Sequence, residues 1–369
     1  MKRMHNGLLL GAAAITTALT GSAQAAPAPP AASAAQQAAR AIDEGLFVDI
    51  NGVQQWITIR GSDRRKPILL FLHGGPGIGS TAMAPLFAEW EKSFTIVQWD
   101  QPGGGATDIK NAGKDIGPMT VARYTRDGLA VAQYALARLH QPKLVLMGNS
   151  WGTLIGLEMV HARPELFSAY VGTSQAVGDR GNRLGWEMAI EAARARGDTK
   201  AVAELQRVGP PPYKTIQDLL VRQTNVFPPA LPMTPEEAAA NADFTRIASA
   251  PPPPGAHYIA PITAPAGYNP GMVFVTTQMK IFDETWHWEA RHLGTRFSVP
   301  MFIFQGGHDL NTPVQAAREY FDEIQAPHKA FEVVPGAGHN LIAFHAELLA
   351  LMEKDVLPTL DMRRRLVTH

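Results

Sequence analysis

The chain contains no cysteine. This excludes disulfides, thiolate metal ligands, a cysteine nucleophile and the lipid-bearing cysteine of a bacterial lipoprotein. Net charge is also missing, because Lys plus Arg and Asp plus Glu number 33 each. No overall field therefore draws the protein toward nucleic acid or an anionic membrane, and no nucleic-acid partner is expected. After the first 25 residues no run is long and apolar enough to span a bilayer.

What the chain does have is punctuation, with 33 glycines and 29 prolines, several in clusters such as Pro210–Pro212 and Pro251–Pro254. These mark turns and loops. A length of 369 residues accommodates one large α/β domain with an inserted subdomain, or two domains of ordinary size. Residues 1–25 read as a secretory signal peptide: Lys2 and Arg3, an apolar stretch from Gly7 to about Leu19, and Gly-Ser-Ala-Gln-Ala ending at Ala25. The apolar stretch contains Thr and Gly and is short for a spanning helix, which sets it apart from an uncleaved anchor. The expectation is cleavage near Ala25 or Ala26 and export to the periplasm or the medium, with no stable membrane insertion afterwards. Residues 26–40, rich in Ala, Pro and Gln, form a flexible leader in this reading.

Phe47, Val48, Ile50, Val53, Trp56, Ile57 and Ile59 surround Asn51-Gly52, a strong hairpin signal. Pro67 to His73 is continuously apolar, as in a strand buried on both faces, and runs into His73-Gly-Gly-Pro-Gly77. A helical stretch to Trp90, a strand from Phe94 to Asp100, a helix from Thr120 to Leu139 and a strand from Leu144 to Met147 follow. The alternation predicts a doubly wound α/β fold, a mostly parallel sheet covered by helices on both faces. Ser168–Thr173 reads as the next strand. From Ala176 the pattern changes to helical runs, among them Trp186–Arg196 and Thr199–Val208, separated by the proline clusters. Residues 176–296 are read as an inserted helical cap, with 41–175 and 297–369 as the sheet domain. Strands return at Val299–Gln305 and Lys329–Val334, and a terminal helix is expected over Leu341–Val356.

Gly148-Asn-Ser-Trp-Gly152 joins a predicted strand to a predicted helix. This is the sequence form of a nucleophile elbow, which strains and exposes its central residue, Ser150. A serine hydroxyl needs a base to take its proton and a third group to orient that base. On such an elbow the acid and then the histidine follow in chain order. Asp309 follows the strand ending at Gln305, and His339 follows the strand ending at Val334, so these are the expected acid and base. His345 falls inside the terminal helix, and His308 is read as a turn residue beside the acid. Backbone donors for a tetrahedral oxyanion are expected from Trp151 and from Gly75, with Gly74 the alternative to Gly75. His73 is read as a loop histidine that holds its turn by hydrogen bonds, since no ligand cluster accompanies it. No metal site and no cofactor are expected.

With these residues in place the chain resembles the α/β-hydrolase superfamily and, within it, the proline iminopeptidase (prolyl aminopeptidase) family. His73 to Gly77 reproduces that family's oxyanion motif. Gly148 to Gly152 matches its Gly-Gly-Ser-Trp-Gly elbow except at Asn149, and Trp99-Asp-Gln-Pro-Gly-Gly-Gly105 matches Trp-Asp-Gln-Arg-Gly-x-Gly except at Pro102. The resemblance covers about 45–175 and 297–358. It implies an α/β-hydrolase fold with an inserted cap. It also implies release of an N-terminal residue, typically proline, from a small peptide through an acyl-enzyme on Ser150. Family members hold the substrate's free amino group with acidic cap residues, for which Glu187 and Glu289 are the candidates here. An esterase or lactonase using the same triad is the alternative, with a small ester as substrate, since the scaffold serves both and the cap selects the substrate. A binding protein without catalysis is the third possibility, disfavoured by the complete Ser, Asp and His set. Dehalogenase or epoxide hydrolase chemistry would need a carboxylate at the elbow. The oligomeric state is not legible.

Overall fold

A computed structural model describes residues 40–227 and 232–360. The predicted signal segment and almost all of the leader lie outside the described residues. Strands β1 (Ile42–Ile50) and β2 (Val53–Gly61) form the expected hairpin, in which Ile50 pairs with Val53. Both turn residues take positive φ, 52° at Asn51 and 86° at Gly52, as a two-residue turn matched to strand twist requires. The remaining strands are β3 (Ile68–Leu72), β4 (Thr95–Trp99), β5 (Leu144–Asn149), β6 (Phe167–Thr173), β7 (Met301–Gly306) and β8 (Lys329–Val334). They complete an eight-stranded sheet of order β1-β2-β4-β3-β5-β6-β7-β8. The pairs β1–β2 and β2–β4 are antiparallel and all others parallel.

The continuous apolar run of β3 is explained by a core on each face of the sheet. Ile68, Leu70 and Leu72 point to one core, and Leu69 and Phe71 to the other, because successive side chains alternate. The first core is filled by helix α2 (Val121–Leu139) through Val131, Ala132, Ala135 and Leu136. Helix α3 (Trp151–Ala162) adds Leu154, Ile155 and Leu157. The second holds Leu86, Phe87 and Trp90 and, from the C-terminal helical segment, Leu341, Phe344, Leu348, Met352 and Val356. Each such side chain contributes roughly 1.5–3 kcal/mol by leaving water.

Two predicted helices differ in kind. The stretch before Trp90 forms 3-10 turns, Thr81–Phe87 and Trp90–Lys92, with Pro85 inside the first, where it supplies no N–H for an α-helical ladder. The terminal helix divides into a 3-10 turn (Leu341–Phe344), an α-helix (His345–Leu351) and a π turn (Met352–Val356). A short helix α1 (Gly105–Lys110) also follows β4.

Between β6 and β7 lie helices α4 (Asp179–Ala195), α5 (Thr199–Val208), α6 (Ile216–Val226), α7 (Pro235–Ala248) and α8 (Pro270–His287). The starts of the last four are written locally: Asp198, Thr215 and Thr234 accept from the backbone N–H three residues on, and Asn269 accepts from Gly271 and Met272. Ala189, Ile190, Leu205 and Val226 pack with Leu310 in a small separate core. The inserted helices are thereby fastened to the loop after β7. Because β3 to β8 run parallel, the loops after β3, β4, β5, β7 and β8 all open on one edge of the sheet. The crevice at such an edge is where ligands of open α/β sheets bind.

Candidate active site

Ser150 stands between β5 and α3 with φ 52° and ψ −116°, a conformation an L-residue rarely holds. The strain, of order 1–3 kcal/mol, is retained because the flanks fix the turn. The Ser150 N–H donates to Thr173 O at 2.9 Å, and its carbonyl accepts from the Thr153 N–H at 2.8 Å. A Cβ on Gly148 would lie 2.5 Å from the Gly152 carbonyl oxygen, and one on Gly152 would collide with the Leu72 carbonyl. Only glycine fits either flank. Asn149, the departure from the family motif, uses its Nδ2 to donate to Thr173 Oγ1 at 3.1 Å.

Ser150 Oγ lies 2.9 Å from His339 Nε2, and His339 Nδ1 lies 2.9 and 3.1 Å from the two oxygens of Asp309. The carboxylate can only accept, so Nδ1 carries the proton and Nε2 presents its lone pair to the serine hydroxyl. Asp309 is buried. Burial pushes its carboxyl up, but the His339 charge and hydrogen bonds from His339 and Thr312 outweigh that, leaving it below the usual aspartate value. This arrangement can lower the barrier to attack by Ser150: the imidazole takes the proton and the buried carboxylate stabilises the imidazolium. The three residues expected from the sequence are thus brought together. His345 lies elsewhere, 3.4 Å from Asp243, and His308, next to Asp309 in the chain, lines a cavity that Ser150 and His339 also line.

The His73–Gly77 loop closes over the elbow. His73 is fully buried, which pushes its imidazole down to about 4, although a hydrogen bond to Gly74 O opposes this. It is therefore neutral, with Nδ1–H donating to Gly74 O at 2.7 Å and Nε2 accepting from the Gln101 N–H at 3.2 Å. This is the structural role read from the sequence. A Cβ on Gly74 would sit 3.4 Å from Ser150 Cβ, and Gly75 shares both neighbouring cavities with Ser150. Trp151 begins α3, where amides lack partners within the helix. The expected oxyanion donors therefore flank the serine.

The Trp99–Gly105 segment supports this loop from beneath. Asp100 accepts from the amides of Ser80, Thr81 and Ala106 at 2.7, 3.1 and 2.8 Å. Gln101 accepts from Trp151 Nε1 at 2.9 Å and donates to His73 O at 3.3 Å. Pro102, standing where the family has arginine, contributes its carbonyl, which accepts from Tyr124 Oη at 2.8 Å.

Two cavities meet at Ser150, Gly75 and His339. The larger, about 460 Å³, is walled by Trp151, Leu219, Phe227, Phe274, Trp286 and Trp288, with Arg222 at its lining. The smaller, about 390 Å³, carries Glu237 and His308. Among the described lining residues Glu237 is the one carboxylate. Neither Glu187 nor Glu289 lines either of these two cavities. The Glu289 carboxylate accepts from the Asp179 amide instead, and a Cβ on Gly178 would run into it. Sequence reading missed Glu237, Thr312, Asn311 and Arg222. The last is a helix arginine with no motif to single it out, yet it is 1% exposed and donates to the Asn311 side chain. Among the described residues no group of three or more His, Asp or Glu is placed to hold a metal, and no helix is long and apolar enough to cross a membrane.

Residues 67–202 match the family model for the alpha/beta hydrolase fold. The chain is 28% identical over 298 residues to the probable aminopeptidase YbaC of Bacillus subtilis (strain 168), spanning 79% of this chain and 89% of that protein. Among solved structures, a proline iminopeptidase-related protein from Thermus thermophilus superposes with a TM-score of 0.57 at 20% identity, covering 86% of this chain and 99% of the other. A thermophilic esterase from Thermogutta terrifontis gives 0.51 at 14% identity, covering 87% and 99%. Both likenesses establish the fold. The chain therefore has the α/β-hydrolase fold, resembles the proline iminopeptidases in its motifs, and is similar in sequence to a probable aminopeptidase.

Proposed function

We propose that this protein is a serine aminopeptidase that releases an N-terminal residue, typically proline, from small peptides through an acyl-enzyme on Ser150. The observation that carries the chemistry is the continuous contact from Ser150 Oγ through His339 to buried Asp309. In this mechanism Ser150 attacks the scissile carbonyl while His339 takes its proton. The amides of Trp151 and Gly75 hold the oxyanion, His339 returns the proton to the leaving amine, and water repeats the sequence on the ester. The preference for a free N-terminus is supported by similarity to a probable aminopeptidase along 89% of that relative and by Glu237, which lines a cavity that also reaches Ser150. The substrate's ammonium would lie in the smaller cavity in this account.

A second reading, an ester hydrolase using the same triad, is favoured by one feature: the described lining of the larger cavity is aromatic and amide-rich and contains no carboxylate. A panel of prolyl and other aminoacyl amides beside aryl esters separates the two. Amide release that requires a free amino group supports the peptidase. Ester turnover with no amide turnover rejects it. The N-terminal segment supports a further proposal, export to the periplasm or medium after signal cleavage, checked by the N-terminal sequence of the protein recovered outside the cytoplasm.

A further inference from the structure

We propose that Asn311, held by Arg222, is a positioning residue that keeps His339 neutral and aims its Nε2 lone pair at Ser150. This rests on the reading of His339 as the base of a serine hydrolase. Asn311 Nδ2 lies 3.1 Å from His339 Nε2, the same atom that faces Ser150 Oγ at 2.9 Å. Which end of the amide faces the imidazole is decided by the other end. Arg222 Nη1 donates to Asn311 Oδ1, and a guanidinium has no acceptor, so the amide's N–H₂ is turned toward His339. The imidazole already commits its Nδ1 proton to Asp309. One lone pair is thus shared by two donors, the serine hydroxyl and the Asn311 amide.

A hydrogen bond donated to a lone pair stabilises the unprotonated imidazole, because protonation at that atom destroys the acceptor. The same contact restricts ring rotation about the Asp309 hydrogen bonds. Arg222 is not a local residue. It comes from α6, in the inserted helices, is 1% exposed, and also donates to Asn311 O at 3.2 Å and Leu310 O at 3.4 Å. Among the described residues it forms no ion pair. Burial works against its charge, opposed by Tyr213 and Asp309 nearby. A buried cation without a carboxylate partner is costly to retain. Its attachments are all to the segment that carries Asp309 and Asn311, so it couples the helices covering the site to the geometry of the base.

The titratable and charged groups around His339 are Asp309 from the loop after β7, Arg222 from α6, and Glu237 from α7 with His308 across the smaller cavity. Asp309 favours the imidazolium, whereas Arg222 and the Asn311 amide favour the neutral ring. Removing Asn311 shifts that balance toward protonation. The base then fails at a higher pH.

The experiment is the rate of Ser150 labelling by a fluorophosphonate across the acid limb, which reports the state of the base without reference to the natural substrate. In Asn311→Leu the midpoint of the acid limb is expected to rise by about half to one pH unit. Asn311→Asp keeps the shape, places a carboxylate near Nε2, and is expected to raise the midpoint further. Arg222→Met is expected to move it in the same direction as Asn311→Leu. Should that variant fail to fold, the two Asn311 variants carry the test, with thermal unfolding showing that each is folded. Midpoints that coincide with the wild type in folded Asn311 variants, or that move down, would overturn the proposal. A folded wild type that takes no label would instead overturn the assignment of Ser150.

Discussion

The Thr312 hydroxyl donates to Asp309 Oδ2 at 2.5 Å and the Thr312 amide donates to Oδ1 at 2.8 Å, so one residue clamps both oxygens of a buried carboxylate. Burial pushes that carboxyl up, and His339 together with the Thr312 clamp outweighs the push, leaving it below the usual aspartate value. Thr312→Val removes the hydroxyl and keeps the amide and the shape. It is expected to lower kcat about tenfold with little change in KM, since one hydrogen bond to a charged group amounts to roughly 1.5 kcal/mol or more. The sign for stability follows from the same shift. The folded value is below the unfolded one, so the contribution is full above the ordinary aspartate range and is lost as the pH falls through the folded value. The gap in Tm between wild type and Asp309→Asn should therefore be wide near neutrality and narrow in strong acid.

His73 titrates in the opposite region. Burial pushes it down from 6.5 to about 4, so the folded state resists a proton that the unfolded chain accepts. Its contribution is complete above about 6.5, erodes as the pH falls, and is gone near 4, a loss of roughly 3 kcal/mol. Chemical denaturation of the wild type and of His73→Gln over this window checks it. The wild type should lose stability with acid more steeply than the variant.

The elbow glycines make a steric prediction. Gly148→Ala would place a methyl 2.5 Å from the Gly152 carbonyl oxygen, a backbone atom that cannot turn aside. A loss of about 3 kcal/mol or more is expected, together with loss of fluorophosphonate labelling. A variant with wild-type Tm and labelling would show that the turn has room to relax.

Glu237 tests how the amino terminus of a peptide is held. Burial pushes its carboxyl up, opposed by a hydrogen bond from the Thr234 backbone N–H and by His308. Glu237→Gln is expected to raise KM for a prolyl amide by about tenfold or more, the scale of one charged contact, and to raise KM less for an aryl ester. Equal changes for both would remove Glu237 from amine recognition.

Much of this was legible in the sequence for a physical reason. Ser150 and Asp309 each follow a strand buried on both faces, which leaves an apolar run that can be counted, and His339 follows a partly buried edge strand that is apolar over its last two residues. His73–Gly77 was legible because close backbone approach demands glycine. The cavity walls were not. Glu237, Arg222 and Phe227 lie on or beside amphipathic helices between β6 and β7, where periodicity shows that a face is buried but not what it is buried against. Glu289 illustrates the limit: the resemblance made it a candidate for holding the substrate's amino group, yet its carboxylate accepts from the Asp179 amide. Asn311 and Thr312 followed the acid in plain view, but only the folded loop shows that their side chains turn back on His339 and Asp309.

The central claim is that Ser150 is the nucleophile. The most direct measurement is peptide mapping by mass spectrometry of the folded protein after fluorophosphonate treatment, beside Ser150→Ala. The account predicts one adduct, on the peptide carrying Gly148 to Gly152, absent from Ser150→Ala although that variant unfolds cooperatively. An adduct on another residue, or turnover by Ser150→Ala at the wild-type rate, would contradict it.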